Sequence, residues 1–259
     1  MVVQRQTVRS EAKRSAYELM DNQFVTWQYQ NKLLSLLSER EFRLISPFLK
    51  PHEATFKETV VNQGAKIGYI EFPCSSVYSS VLTMASGDTV EIGTVGNEGF
   101  TGINTLFSGN VATTTIFCQV PGVALRMAIN HFRSEVRHNP RFHFILELYC
   151  QAFISQLEKS VACNKLHSLE QRAARWLLMT HDRVGHDELS LTQEFLATML
   201  GVHRPTVSIL AQKLADAGVL AYTRGKMKIL QRSSLEKLSC ECYTASRQEF
   251  ERLLGVRTG

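Results

Sequence analysis

Residues Leu191 to Leu230 read LTQEFLATMLGVHRPTVSILAQKLADAGVLAYTRGKMKIL, and the apolar spacing changes character twice along them. Phe195, Leu196, Met199 and Leu200 fall on one side of a helix that Thr192 can N-cap. Gly201 ends that helix, as glycine at a helix C-terminus does. His203 or Arg204 then precedes Pro205, a residue suited to the first helical position. The second helix buries Val207, Leu210, Ala211 and Leu214 and stops at Gly218. Val219, Leu220 and Tyr222 lead through Arg224-Gly225-Lys226 to Lys228-Ile229-Leu230, a strand, a glycine turn and a second strand. Two short helices across a tight turn, followed by a basic hairpin, read as a winged helix-turn-helix. That motif places its second helix in the DNA major groove.

Off the buried stripe of the second helix lie Arg204, Thr206, Ser208, Ile209, Gln212 and Lys213. Arg204 suits bidentate contact with a guanine edge, while Thr206 and Ser208 suit phosphates, which position a protein without reading sequence. Ile209 reads either as a thymine-methyl contact or as a partly buried core residue. Residues 219 to 235 contain Arg224, Lys226, Lys228 and Arg232 and no acid, as a wing against phosphates requires. Thr192, His203, Arg204, Pro205, Thr206, Ser208, Ile209, Lys213, Arg224, Lys226 and Lys228 are therefore the residues expected at DNA. The alternative is a ligand-sensing module whose winged helix contacts protein instead.

Composition sets wider limits. With 259 residues, 44% hydrophobic and 20% charged, the chain is a globular protein large enough for one big or two ordinary domains. A net charge of +5 permits a polyanionic partner without demanding one. The sequence has no apolar run of membrane-spanning length and no apolar core in its opening MVVQRQTVRSEAKRSAYEL, so a cytoplasmic protein without membrane contact is expected. Six cysteines without framework spacing are expected as reduced thiols.

Residues 1–28, with Arg5, Arg9, Lys13 and Arg14, read as a polar arm. Leu33, Leu34, Leu36, Leu37, Phe42, Leu44, Ile45 and Leu49 give short amphipathic helices ending at Pro51. From Ala54 to Ala128 the period shortens towards two, with glycines about every ten residues, which predicts a β-roll, sandwich or barrel able to enclose a small ligand. The segment Gly93-Thr-Val-Gly-Asn-Glu-Gly-Phe-Thr-Gly102 lacks the lysine of a P-loop, and its glycines are expected in tight strand turns. After Pro140 a helix runs to about Leu166, with a seam of Phe142, Leu146, Tyr149, Phe153, Leu157 and Val161. Such a helix is nearly 40 Å long, more than a small roll covers, so part of the seam is expected to pair with a second copy. Ser168 and Gln171 form a capping box for the next helix, making Cys163 to His167 a hinge, and Ser234 to Leu254 reads as a helical tail. The expected organisation is an arm (1–28), a β-roll sensor (29–137), a dimerisation helix (138–166), a winged helix-turn-helix (167–240) and a tail (241–259).

This order of parts resembles the Crp/Fnr family of bacterial transcription regulators, most specifically in LTQEFLATMLGVHRPTVS and SLEQRAARWLL, and also at IGYIEFPCSSVYS and VGNEGFTG. The resemblance implies an α+β fold with a jelly-roll-like sensor and a homodimer reading a palindromic operator. It also implies RNA polymerase as a partner, an unidentified small-molecule effector, and action as activator or repressor. Two positions of the reading helix depart from the family: its glutamate after the key arginine is Pro205, and its next base-contacting arginine is Ile209. The glutamate and arginine that hold a cyclic nucleotide match Ile103 and Thr113, with Thr114 adjacent. Neither replacement can hold a ribose hydroxyl or neutralise a phosphodiester, so cyclic AMP is not expected. Residues 1–73 contain no cysteine for the family's iron–sulfur cluster, while His131, His138 and His143 leave haem open.

Other constellations are weaker. Cys240-x-Cys242 lacks a second ligand pair and reads as two ordinary thiols, so neither a metal site nor a bound cofactor is expected. Cys118, Cys150 and Cys163 read as core residues or redox sensors. A metal-bearing cupin enzyme would need histidines on the strands, and residues 54–128 contain none; with no nucleophile motif either, covalent catalysis is not expected.

Overall fold

The computed structural model describes residues 27–107, 109–223 and 225–255. The arm expected over 1–28 thus falls almost wholly outside the described residues, apart from the helical residues 27 and 28. Helix α1 (Glu39–Ile45) opens on a capping box between Ser38 and Glu41 and buries Phe42 and Ile45. Pro51 does not end a helix. It sits in β1 (Leu49–Ala54), an edge strand paired with the strand Gly122–Ala128, and an edge strand tolerates the missing donor of proline.

The roll consists of β1, β2 (Thr59–Val61), β3 (Tyr69–Pro73), β4 (Val77–Thr83), β5 (Thr89–Val95), β6 (Thr115–Val120) and β7 (Gly122–Ala128). Two antiparallel sheets form, in the orders β1-β7-β3 and β2-β6-β4-β5. Register between β3 and β7 sets Ile70 opposite Met127 and Phe72 opposite Leu125, all fully buried. Period-two alternation sends these residues into one core with Phe100, Phe132, Phe142 and Tyr149.

Helix α2 (Ile129–His138) leads into α3 (Pro140–Leu166), whose first turn is capped by the Asn139 side chain accepting from the Phe142 amide. The α3 seam is used mostly within the chain. Phe142 packs on Phe72, Tyr149 packs on Phe100 at 5.2 Å between ring centroids, and Leu146 and Phe153 are buried; Val161 alone of the seam is strongly exposed. The glycine-rich segment explains how α3 lies so close. A Cβ on Gly99 would stand 2.0 Å from the Tyr149 ring, and one on Gly93 would stand 2.7 Å from the Phe153 ring. Apart from Gly102, these glycines are not turn residues with positive φ; Gly93 and Gly99 form the surface on which the aromatic rings of α3 rest, and Gly96 makes room for the Arg183 side chain.

Helix α4 (Leu169–Val184) begins at the expected Ser168–Gln171 capping box and ends at Gly185 with φ +73°. Then follow β8 (Glu188–Leu189), α5 (Gln193–Leu200), α6 (Arg204–Asp216), β9 (Leu220–Thr223) and β10 (Lys226–Ile229). The wing is a three-stranded sheet in the order β8-β10-β9, one short strand more than the expected hairpin. Two further helices, α7 (Arg232–Leu238) and α8 (Glu241–Leu254), close the chain. Helix α8 does not trail away as a tail: Phe250 packs on Tyr149 and Leu254 enters the roll core, so α8 lies along α3.

The winged unit docks on its own roll. Phe195 of α5 touches Phe56 and Phe117, the Trp176 indole donates to Glu91 of β5, and buried Arg183 of α4 pairs with buried Glu98 at 2.7 Å. Among the described residues no helix is long and apolar enough to cross a membrane.

Candidate nucleic-acid interface

Helix α6 buries Val207, Leu210, Ala211 and Leu214, which turns Arg204, Pro205, Thr206, Ile209, Gln212 and Lys213 outward. Ile209 is 73% exposed, which resolves its two readings in favour of a surface residue. A side chain this apolar at the centre of an exposed polar helix face gains nothing from water. Arg204 and Pro205 occupy the first and second helical positions, one residue later for proline than expected, and exposed His203 is the N-cap.

A chain of hydrogen bonds fixes α6 against its neighbours. The Ser208 hydroxyl donates to Gln193 Oε1 at 2.6 Å, and the Gln193 amide donates to the Tyr222 hydroxyl at 3.2 Å. Ser208 is therefore committed to linking α6 with α5. Thr192 is committed too, its Oγ1 accepting from the Phe195 amide at 3.0 Å. A Cβ built on Gly225 would come within 3.6 Å of Thr192 Cγ2, so the wing turn stands beside the start of α5. Lys226 and Lys228, two apart on β10, are both exposed while the intervening Met227 is buried, which puts the two ammonium groups on one face. Arg224 lies outside the described residues.

The exposed cations have exchangeable partners. Lys213 pairs with Glu170 and Lys226 with Glu188, each at 2.6 Å, and Arg204 stands 3.8 Å from Glu194. The hydrogen bond from Lys226, with its charge, holds the Glu188 carboxyl below its usual range. Exposed pairs like these contribute little in water, so a phosphate can replace the carboxylate at little cost.

Ile103, Thr113 and Thr114 come together in the roll, where they line a cavity of about 210 Å³ with Ser80, Val95, Phe100, Phe107, Phe153 and Leu157. Among the described residues no charged side chain lines it, and its polar lining includes the Ser80 and Thr114 hydroxyls, bonded to each other at 2.7 Å. His131, His138 and His143 do not line it: His131 stacks on Phe48, His138 meets the Ser134 carbonyl, and His143 approaches Glu147. Burial pushes the Cys118 and Cys150 thiols up to about 12, which leaves them protonated and makes them poor redox sensors.

One grouping escaped the sequence reading. Cys240 and Cys242 do have a second pair beside them, Cys163 and His167, all four groups offering donor atoms within 4.8 Å of one another. Seventy-odd residues separate the pairs, so local spacing carried no signal of it.

Comparison with known proteins agrees with this architecture. The family profile described as a Crp-like helix-turn-helix domain matches residues 171–238. No curated protein matches the chain. A crp/fnr family regulator from Eubacterium rectale superposes with a TM-score of 0.61 at 18% identity, covering 80% of this chain and 96% of its own. The c-di-GMP responsive global regulator CLP of Xanthomonas campestris gives 0.63 at 12% identity, covering 75% of this chain and 100% of its own. A CRP family regulator from Thermus thermophilus gives 0.60 at 17% identity, covering 81% and 98%. The described fold is α+β, with an antiparallel roll, a long helix and a winged helix-turn-helix. The chain thus shares its fold with these regulators, and residues 171–238 are similar to a Crp-like helix-turn-helix domain.

Proposed function

We propose that the protein is a sequence-specific, double-stranded DNA-binding transcription regulator that works in the cytoplasm as a homodimer on a palindromic operator. The observation that carries this reading is the outward face of α6, where Arg204, Thr206, Ile209 and Lys213 stand free of the core beside the exposed Lys226 and Lys228. Arg204 reads a guanine edge, Ile209 meets a thymine methyl, and Thr206, Lys213, Lys226 and Lys228 meet phosphates. His203 and Pro205 shape the entry to the reading helix, while Thr192 and Ser208 hold it in place. Dimerisation uses what α3 leaves uncovered: Phe144, Ile154, Val161 and Leu166 are its exposed apolar residues, at 46, 45, 73 and 75%. Matching half-sites require the two reading helices about 34 Å apart.

The sensor ligand is a small neutral molecule held in the roll cavity. A cyclic nucleotide, or the cyclic dinucleotide named for the Xanthomonas relative, would bring phosphodiester charge to a lining that has no cation among the described residues. Phe153 and Leu157 line that cavity from α3, so filling it acts directly on the helix that leads to the DNA-binding unit.

Selection of random duplexes on the purified protein, followed by sequencing, tests the reading. A palindrome with half-sites one helical turn apart is expected. Arg204→Ala should weaken binding by about 1–3 kcal/mol and relax one base position per half-site. Duplex affinity indifferent to salt and competitor sequence would instead favour a protein-contacting winged helix.

A further inference from the structure

Cys163 and His167 sit four residues apart at the end of α3, a spacing that puts both on one helix face, and His167 is the C-cap. Cys240 is the N-cap of α8 and Cys242 lies within its first turn. The fold brings these two helix ends together: Cys163 Sγ is 3.5 Å from Cys240 Sγ, and Cys242 Sγ is 3.7 Å from His167 Nδ1. The three sulfurs are buried and form a small cluster of their own, apart from both hydrophobic cores. A tetrahedral zinc ion with Zn–S near 2.3 Å and Zn–N near 2.0 Å needs donor atoms separated by roughly 3.5–3.8 Å. A [4Fe–4S] cluster holds each cysteine on a separate iron, farther apart than these, and a [2Fe–2S] cluster needs two ligand pairs on two irons, whereas these four donor atoms all lie within 4.8 Å of one another. We propose that Cys163, His167, Cys240 and Cys242 bind one zinc ion in a closed Cys3His site.

The surroundings supply what such a site needs beyond its ligands. His167 Nε2 stands 3.2 Å from Glu241 Oε2, so the ring donates Nε2–H to the carboxylate and presents the lone pair of Nδ1 to the metal. Three thiolates and a neutral imidazole around a divalent ion leave one negative charge. The Arg175 guanidinium, itself buried and with an unpartnered Nε, donates to the Ser160 hydroxyl at 3.0 Å, one turn before Cys163 on α3. Binding is not a redox step: the ion displaces three thiol protons to solvent and forms three Zn–S bonds and one Zn–N bond.

The position gives the ion a specific role. Residues 163 and 240 bracket α4, the reading helices and the wing, so one ion ties the entry and the exit of the DNA-binding unit to the end of α3. The segment expected as a free hinge becomes a clamped joint, and the winged unit follows the long helix as one body.

Zinc is measured by inductively coupled plasma mass spectrometry on untagged full-length protein purified in reductant. One zinc per chain is expected. After chelation and refilling with Co2+, intense thiolate-to-cobalt charge-transfer bands and tetrahedral d–d bands should appear. Glu241→Gln keeps all four ligands and should lower zinc affinity by about 10–100-fold in competition with a chromogenic chelator. Cys242→Ser should abolish the charge-transfer pattern or weaken it by about a third. Less than a tenth of an equivalent of zinc after reconstitution would overturn the proposal. So would a weak octahedral cobalt spectrum, or a Cys163–Cys240 disulfide in metal-free protein kept in reductant. Because wild-type metal content needs no variant, misfolding of a cysteine mutant leaves the test intact.

Discussion

Arg183 and Arg204 are both arginines of the winged unit, each beside a glutamate, and they are held in opposite ways. Arg183 is buried, bonds Glu98 through Nε and a terminal nitrogen, and also donates to the Met179 carbonyl and to Gln156 Oε1. Arg204 is mostly exposed and only 3.8 Å from an equally exposed Glu194. Burial makes the difference. A charge pair removed from water must be fully bonded, and once formed it cannot exchange partners cheaply, whereas an exposed pair can. The inner face therefore fastens the winged unit to the roll, and the outer face keeps its cations available.

The largest effect should come from breaking the inner pair. Glu98→Ala leaves the Arg183 guanidinium buried without its partner and should destabilise the protein by about 3–5 kcal/mol in urea unfolding. A loss below about 1 kcal/mol would mean that the roll and the winged unit are not joined through Arg183.

The second contact of that face carries a pH signature. Burial pushes the Glu91 carboxyl up to about 7, against hydrogen bonds that include the one from Trp176, and its Oε1 has no partner. The folded state then holds a proton that the unfolded chain releases from its ordinary carboxyl near 4.5. This contribution is fully present below pH 4.5 and is lost as pH rises towards 7, by about 3 kcal/mol. Unfolding measured at pH 5 and pH 8 should show that decline in the wild type and little of it in Glu91→Gln. Equal slopes would place the carboxylate in water.

The outer face should respond least in stability. Lys226→Ala should change unfolding free energy by less than about 0.5 kcal/mol, since its bond to Glu188 is exposed. The same change should lower the salt dependence of DNA binding by about one unit of slope. A large loss of stability would remove the contrast between the two faces.

What could be read in the sequence was whatever is encoded locally. The two short helices, Gly201 at φ +64°, the Ser168–Gln171 box and the length of α3 all follow from residues within one or two turns of each other. The outward residues of α6 were legible for the same reason, since a helix period fixes both faces at once. The docking of Phe195 on Phe56 and Phe117 was not, because it joins residues far apart in the chain whose apolarity alone names no partner. Neither was the meeting of Cys163 with Cys240. The glycines at 93 and 99 were misread because a glycine needed for room looks, in sequence, like a glycine needed for a turn.

Those two glycines also set a mechanical ratio. Tyr149 and Phe153 rest on them near one end of the roll cavity, while Leu166 lies 17 residues beyond Tyr149, roughly 25 Å along the axis. With Gly99 as the bearing, a side chain there that tilted α3 by about 10° would displace its far end by about 4 Å, against the hold of the Arg183–Glu98 pair. A side chain at residue 99 would shim the bearing permanently. The smallest residues in the roll thus decide how closely its longest helix can lie against it, and with that where the far end of that helix stands.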